Sequence, residues 1–310
     1  MPVTTSIVIP AFNEADRLAS GFQRLQPVLH ALDVDNLEVI VIDDGSSDAT
    51  LRVAHDVYGH LVHSLFIQQP VNRGKGAAVR LGFALARGQR IIVADADMAI
   101  HPRHFPDIVA ALAHCPIVPG SRALERPIRY DSPLRTVAGG TFNALVRHYA
   151  GTNVRDTQCG CKGFRSGPAR LLGLLGMVNG FAFDVELFFL AAQLGLAVEP
   201  LAVTWDDVSG SSVKIGRDSW SMLRDLRALP HTEYINPVIE LDRDVESSAI
   251  NPVAQSARVA GLVLARGPHN ALLVLARDAA LAGRTLATAL GGTLRTAGLG
   301  ELRARTYEAV

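Results

Sequence analysis

The chain has 310 residues, with 30 basic and 30 acidic side chains and 48% hydrophobic residues. That length suits one large domain or two ordinary ones, at roughly 100–200 residues per domain, and the apolar content excludes a disordered polymer. A formal charge of zero argues against nucleic acid as the main partner, because phosphate-tracking surfaces leave a basic balance. The longest stretch without Asp, Glu, Lys or Arg, 57–72, carries His60, His63, Gln68, Gln69 and Asn72, so it does not read as a membrane span of about 20 apolar residues. No basic-then-apolar leader precedes Ser6–Pro10, and three cysteines make no disulfide framework. The expectation is a cytoplasmic globular protein.

In chain order, four Val/Ile-rich runs end abruptly in polar residues: 6–9, 38–42, 65–67 and 91–93. Segments with helical spacing lie at 14–32, 48–60 and 75–87, which makes strand and helix alternate. That alternation predicts an α/β fold, a mainly parallel central sheet flanked by helices. Further on, 136–150 has apolar helical spacing, 158–163 reads as a Gly/Cys-rich turn, and helices are expected over 167–176 and 182–195. A strand is expected near 197–205, and a catalytic domain is expected to span 1–230. Residues 231–256 read as a polar connector. Residues 257–290 read as Ala/Leu-rich helix pieces broken at Gly267-Pro268, giving a helical C-terminal extension over 231–310.

Open parallel sheets bind ligands beyond the carboxyl ends of their strands. Asp95 and Asp97 follow the fourth run, and in extended backbone positions i and i+2 face the same way. Such a pair suits a hard divalent cation, Mg²⁺ or Mn²⁺, bridging substrate phosphates. An isolated Asp-x-Asp equally fits two solvated loop aspartates. Asp43 and Asp44 end the second run, where a carboxylate can accept bonds from a base imide or a ribose hydroxyl. The residues after them, Ser46 to Asp48, fit a turn and a helix cap. Arg73, Gly74 and Lys75 open a helix, an arrangement that suits a diphosphate, although neither a P-loop nor a GxGxxG spacing is present. Cys159-Gly160-Cys161 lacks the second ligand pair that a zinc site needs. Asp184 and Glu186 stand in a strongly apolar stretch, where acids are costly to bury unless they bind something or form a structural ion pair.

Together these segments resemble glycosyltransferase family 2, whose members share the GT-A nucleotide-sugar-binding fold. The motifs, in order, are IVIPAFNE (7–14), VIDDGSSDAT (41–50), NRGKGAAVRLGFALARG (72–88) and ADAD (94–97). PIVPGSRALER (116–126), VRDTQCGCKGF (154–164), FAFDVELFFLA (181–191) and the W-x-D-V-x-G-S element at 205–211 look like the dolichyl-phosphate β-glucosyltransferase branch. The resemblance covers 5–228, and Cys161, Gly163 and Ser209 depart from that branch's usual residues.

The resemblance implies that Pro10, Ala11, Glu14, Asp43 and Asp44 hold the nucleoside, with Arg73, Gly74 and Lys75 near it or its diphosphate. It implies that Asp95 and Asp97 bind the metal, and that Arg122 and Arg135 meet an acceptor phosphate. Asp156, Thr157 and Gln158 would line the sugar and acceptor region, and Asp184 and Glu186 fall where the family places catalytic acids. The implied reaction is inverting transfer of a hexose, glucose from UDP-glucose by branch, onto a polyprenyl phosphate. The implied setting is a peripheral enzyme at the cytoplasmic membrane face. A soluble family 2 enzyme with a small-molecule or glycan acceptor is the alternative. For 269–290, Arg277 and Arg284 sharing a helical face suggest either membrane docking or packing on the domain or across a homodimer.

Overall fold

The computed structural model describes residues 3–124, 146, 154–206 and 222–234 in full, and the backbone of 217–221 and of four strands within 236–297. Among the described residues, a seven-stranded sheet runs in the order β3-β2-β1-β4-β6-β5-β7. Its strands are β1 Thr5–Ala11, β2 Leu37–Asp43, β3 His63–Gln68, β4 Arg90–Ala94, β5 Ile117–Ser121, β6 Cys161–Arg165 and β7 Leu201–Ala202. β1 pairs in parallel with β2 and β4, and β2 with β3. β6 lies antiparallel between β4 and β5, so β5 and its parallel neighbour β7 point the same way as the first four strands.

One edge of the sheet therefore collects the ends of six strands and the entry to β6. This topology brings residues from 12 to 160 together at one place, and the alternating sequence pattern required it only for the first four strands.

The helices are α1 Ala15–Leu25, α2 Thr50–Tyr58, α3 Lys75–Leu85, α4 Phe105–Ala111, α5 Ser166–Leu175, α6 Phe183–Leu194 and α7 Arg217–Ala228. They cover both faces. Val8, Ile40, Ile42, Ile91 and Val93 face one core cluster with Phe83, Leu172 and Phe188, whereas Ile7, Ile9, Val39, Val41 and Ile92 face the other with Leu18, Phe22, Tyr58 and Phe105. Alternate residues of each central strand are thus buried on opposite sides, which is why these strands read as unbroken apolar runs. The helical spacing at 14–32 resolves into α1 and a 3-10 segment, Gln26–Leu32, because Pro27 has no amide to continue the ladder.

Three expectations are corrected. The Gly/Cys-rich turn at 158–163 leads directly into β6, an antiparallel insertion that the alternating pattern does not announce. The strand near 197–205 reduces to β7 with bridges at Val198 and Trp205. The C-terminal extension is not helical where it is described: β8 Asn236–Leu241, β9 Gly261–Leu264, β10 Ala271–Leu275 and β11 Gly292–Ala297 form an antiparallel sheet ordered β11-β8-β10-β9. Gly-Leu-Val-Leu and Ala-Leu-Leu-Val-Leu are runs too short for a helical period to be told from a strand. The pair forms across an interval holding Gly267 and Pro268. The remainder of 257–290, with Arg277 and Arg284, lies outside the described residues, as do nearly all of 136–150 and residues 207–211 of the W-x-D-V-x-G-S element. No helix among the described residues is long and apolar enough to cross a membrane.

α3 lies close over β1 because Gly82 presents no side chain; a Cβ there would stand 2.2 Å from Val8 Cγ1. Val8 is β-branched and fully buried, so it has no room to yield. Gly82→Ala is therefore expected to cost about 1–3 kcal/mol, read as a lower urea midpoint at unchanged slope.

Candidate active site

The loops at the crowded sheet edge are stapled to one another. Asn13, with a φ of 53°, turns the chain out of β1; its amide donates to Ser46 Oγ at 2.8 Å, and its Oδ1 accepts from the Ser47 amide at 3.0 Å. The Glu14 amide donates to Thr50 Oγ1 at 2.8 Å. Pro10 and Ala11 close β1 and are buried. Asp43 accepts from the Ser46 amide and from Gln68 Nε2, both at 2.9 Å. Asp44 accepts from the Arg73 amide at 2.8 Å, the Gly74 amide at 2.7 Å and Gln69 Nε2 at 2.8 Å. Both carboxylates are buried in the free protein, and they shape the loop carrying the exposed Arg73 side chain. Burial raises the Asp44 pKa against the opposing pull of the two amides.

Gly74 has a φ of 100°, and a Cβ there would meet Asn179 O at 2.3 Å, so only glycine fits this turn into α3. The next residue, Lys75, points its Nζ to Asp95 Oδ1 at 2.6 Å and lies 5.9 Å over the Phe183 ring. Burial lowers the Lys75 pKa, but Asp95, Asp184 and Asp97 outweigh it and hold the ammonium above its ordinary value. Asp97 accepts from the Ala99 amide at 3.0 Å and from Arg17 at 3.3 Å, and Arg17 also grips Glu14 at 2.6 Å. Glu14 is pushed up to about 7, first by burial and then by Asp97 and Asp95, with Arg17 opposing.

Asp95 and Asp97 thus form a concentrated pair of anions that has drawn one cation to each member. Their oxygen donors suit Mg²⁺ or Mn²⁺, which keeps several waters and phosphate oxygens rather than needing an all-protein cage. Among the described residues no cluster of three or more His, Cys, Asp or Glu is placed to hold a metal.

On the other flank, Arg122 follows β5 and forks onto Asp156, with Nε to Oδ2 at 2.8 Å and Nη2 to Oδ1 at 2.7 Å, while its amide donates to Oδ2 at 2.9 Å. Burial raises the Asp156 pKa, but Arg122 more than reverses it and leaves the carboxyl below its usual range. Thr157 is fully buried beside it, and Gln158 Nε2 donates to Phe181 O at 3.2 Å. Asp184, at the start of α6, meets Lys162 Nζ at 2.8 Å; burial raises its pKa against the attraction of Lys162 and Lys75.

Glu186 is not brought into this group. On a helix two positions diverge by about 200°, so Asp184 and Glu186 face opposite ways. Glu186 accepts from the Met177 amide at 2.9 Å, the Val178 amide at 2.9 Å and Tyr234 OH at 2.9 Å. Its expected place as a catalytic acid gives way to anchoring the loop that abuts Gly74 and Gly76. Arg135 lies outside the described residues.

Sequence reasoning missed the face of α1 that carries Arg17, Gly21 and Arg24. Arg17 holds Asp97, Arg24 donates to Met98 O at 3.3 Å, and a Cβ on Gly21 would meet Ala96 O at 2.0 Å. Their i, i+4, i+7 spacing was the available signal. Lys162 was missed as well.

Two outcomes follow from this geometry. A Cβ on Gly160 would stand 2.3 Å from Asp95 Oδ2. Gly160→Ala should therefore weaken Mn²⁺ binding in calorimetry by about tenfold or more, with the fold retained by circular dichroism. Glu14 binds a proton more tightly folded than unfolded, so its contribution is complete below about pH 4.5 and is lost as pH rises through about 7. Metal-free Glu14→Gln should remove that part of the stability decline in denaturant melts taken across this window; an unchanged slope would contradict it.

The family profile described as Glycosyl transferase family 2 matches residues 6–172. The dolichyl-phosphate beta-glucosyltransferase of Drosophila melanogaster is 37% identical over 234 residues, covering 71% of this chain and 71% of its own. The human protein of the same name is 36% identical over 229 residues, with 67% and 69% covered. Among solved structures, glucosyl-3-phosphoglycerate synthase from Mycobacterium tuberculosis, in complex with Mn²⁺, UDP and glucosyl-3-phosphoglycerate, superposes with a TM-score of 0.53. It is 21% identical, with 74% of this chain and 78% of that one covered, and it establishes the shared fold. The chain belongs to glycosyltransferase family 2 and is a glycosyltransferase of the branch that contains the dolichyl-phosphate beta-glucosyltransferases.

Proposed function

We propose that this enzyme transfers glucose from UDP-glucose, with inversion at the anomeric carbon, to the phosphate of a polyprenyl phosphate of the dolichyl type. It works in peripheral contact with the cytoplasmic face of a membrane. The observation that carries the reading is the arrangement of compensated charge at one sheet edge. Lys75 and the start of α3 stand on one side of Asp95 and Asp97, and the Arg122–Asp156 fork stands on the other. The names of the similar proteins support the acceptor and the sugar.

In this reading Asp95 and Asp97 hold Mg²⁺ or Mn²⁺, which when bound supplies Lewis acidity to the departing diphosphate. Lys75 reaches that diphosphate from the N-terminus of α3, where the helix dipole also favours negative charge. Glu14 and the loops set by Asp43 and Asp44 shape the nucleoside end. Arg122, oriented by Asp156, meets the acceptor phosphate together with Arg135. A phosphate oxygen attacks the anomeric carbon while the bond to UDP breaks, its electron pair leaving on the diphosphate. The acceptor is already anionic near neutral pH, so no side chain must deprotonate it. Asp184 orients the sugar or the acceptor. The main barrier is bringing two anions together, and fixed positive charge lowers it.

The test incubates purified protein with Mg²⁺ or Mn²⁺, a short polyprenyl phosphate, and labelled UDP-glucose, GDP-mannose or UDP-N-acetylhexosamine. Label from UDP-glucose is expected in the organic phase, and Asp95→Ala or Asp97→Ala should lower it on the order of 100- to 1,000-fold with the fold intact. Label entering only a water-soluble glycoside would overturn the lipid acceptor. Full activity in the aspartate variants would overturn the metal assignment.

A further inference from the structure

Lys162 is an uncommon residue for its position. It sits in β6, an interior strand of the sheet, opposite Val93 of β4 and Pro119 of β5, and is 4% exposed. Lysine is almost never buried this fully unless it is paired. Its Nζ meets Asp184 Oδ1 at 2.8 Å and donates to the carbonyl oxygen of Cys159 at 2.5 Å. Those two contacts reach into different parts of the site. Asp184 opens α6 and lies within the electrostatic reach of Lys75 and Asp95. Cys159 belongs to the turn that carries Asp156, the partner of Arg122, and Gly160, which abuts Asp95.

Counter-charge for Asp184 would need only the first contact. The second contact makes the ammonium a tie between the turn 156–160 and the start of α6. We propose that Lys162 is a positioning residue that sets the distance between the Arg122–Asp156 fork and Asp184, and so holds the acceptor side in register with the donor side. This rests on the acceptor-side reading of Arg122 and Asp156 given above. Lys162 itself touches no substrate. It acts through the Cys159 carbonyl and the Asp184 carboxylate, and a shift of about 1 Å between such groups is enough to lower turnover on the order of 100-fold.

The test compares wild type with Lys162→Met, measuring Mn²⁺–UDP affinity by calorimetry and kcat/KM for a short polyprenyl phosphate below the melting temperature of each protein. Lys162→Met is expected to bind Mn²⁺–UDP as wild type does while kcat/KM for the acceptor falls on the order of 100-fold. A lower Tm with unchanged kcat/KM would show a purely structural lysine and overturn the proposal. Removing one member of a buried pair can cost the fold, so Lys162→Met is also made in an Asp184→Asn background, where both charges leave together. There the turn still loses its tie, and kcat/KM is expected to fall about tenfold further than in Asp184→Asn alone. No further loss would reduce Lys162 to a counter-ion and overturn the proposal. If wild type moves no sugar to polyprenyl phosphate, the functional reading fails on its own account. The same variants are then compared by UDP release with water as acceptor, and the same two outcomes decide the role of Lys162.

Discussion

The governing constraint on this site is the accumulation of carboxylates at one edge of a buried sheet. Glu14, Asp95, Asp97, Asp156 and Asp184 converge there, and carboxylates withdrawn from water are stable only when matched by charge and hydrogen bonds. The chain meets that demand by alternation. Arg122 holds Asp156, Lys162 lies between Asp156 and Asp184, Lys75 between Asp184 and Asp95, and Arg17 between Asp97 and Glu14. Lys162, Lys75 and Arg17 each serve two anions, so none of the three can be moved without exposing one of them. The result is a rigid frame of fixed charge, which suits a reaction whose two substrates are both negative.

Backbone proximity is the second device, and it depends on the first. Loops can be brought this close only where side chains are absent, and glycine stands at the contacts. Gly21 admits α1 to the Ala96 carbonyl, Gly160 admits its turn to Asp95, and Gly74 and Gly76 admit the start of α3 to the 178–179 loop. Glu186 completes the arrangement by fixing that loop from below through the Met177 and Val178 amides. Glu186 thereby braces the loop against which the start of α3, with Lys75, is set.

How much of this was legible depended on whether the signal was local. The first four strands and α1 to α3 were readable because β1, β2 and β4 are short Val/Ile runs buried on both faces, β3 is a short apolar run at the sheet edge, and each ends in polar residues. Asp95 and Asp97 were readable as a pair from their place after β4, although the strand ends at Ala94 and the pair stands in a turn, closed by the Met98 amide on the Asp95 carbonyl, rather than in extended chain. At Asp184 and Glu186 the backbone is helical, and the two side chains part. β6 was hidden because its strand follows glycines and cysteines, and because an antiparallel insertion has no signature in an alternating pattern. The tail was misread because runs of four and five apolar residues carry no period, and antiparallel pairing with other segments made them strands. Lys162 carried no local sign of function, and Arg17 only its helical spacing with Gly21 and Arg24; each matters for what lies across from it.

By itself the sequence determined the alternation of strands and helices, the family, and the polar groups that follow each strand, since all of these rest on short-range pattern and composition. Only the tertiary structure decided which of those groups share a site. The direction of β6, the rotation of α6 and the pairing of each buried anion with its cation are set by contacts between segments far apart in the chain. Burial and Coulomb attraction act on distances in space, and a sequence specifies those only after it has folded.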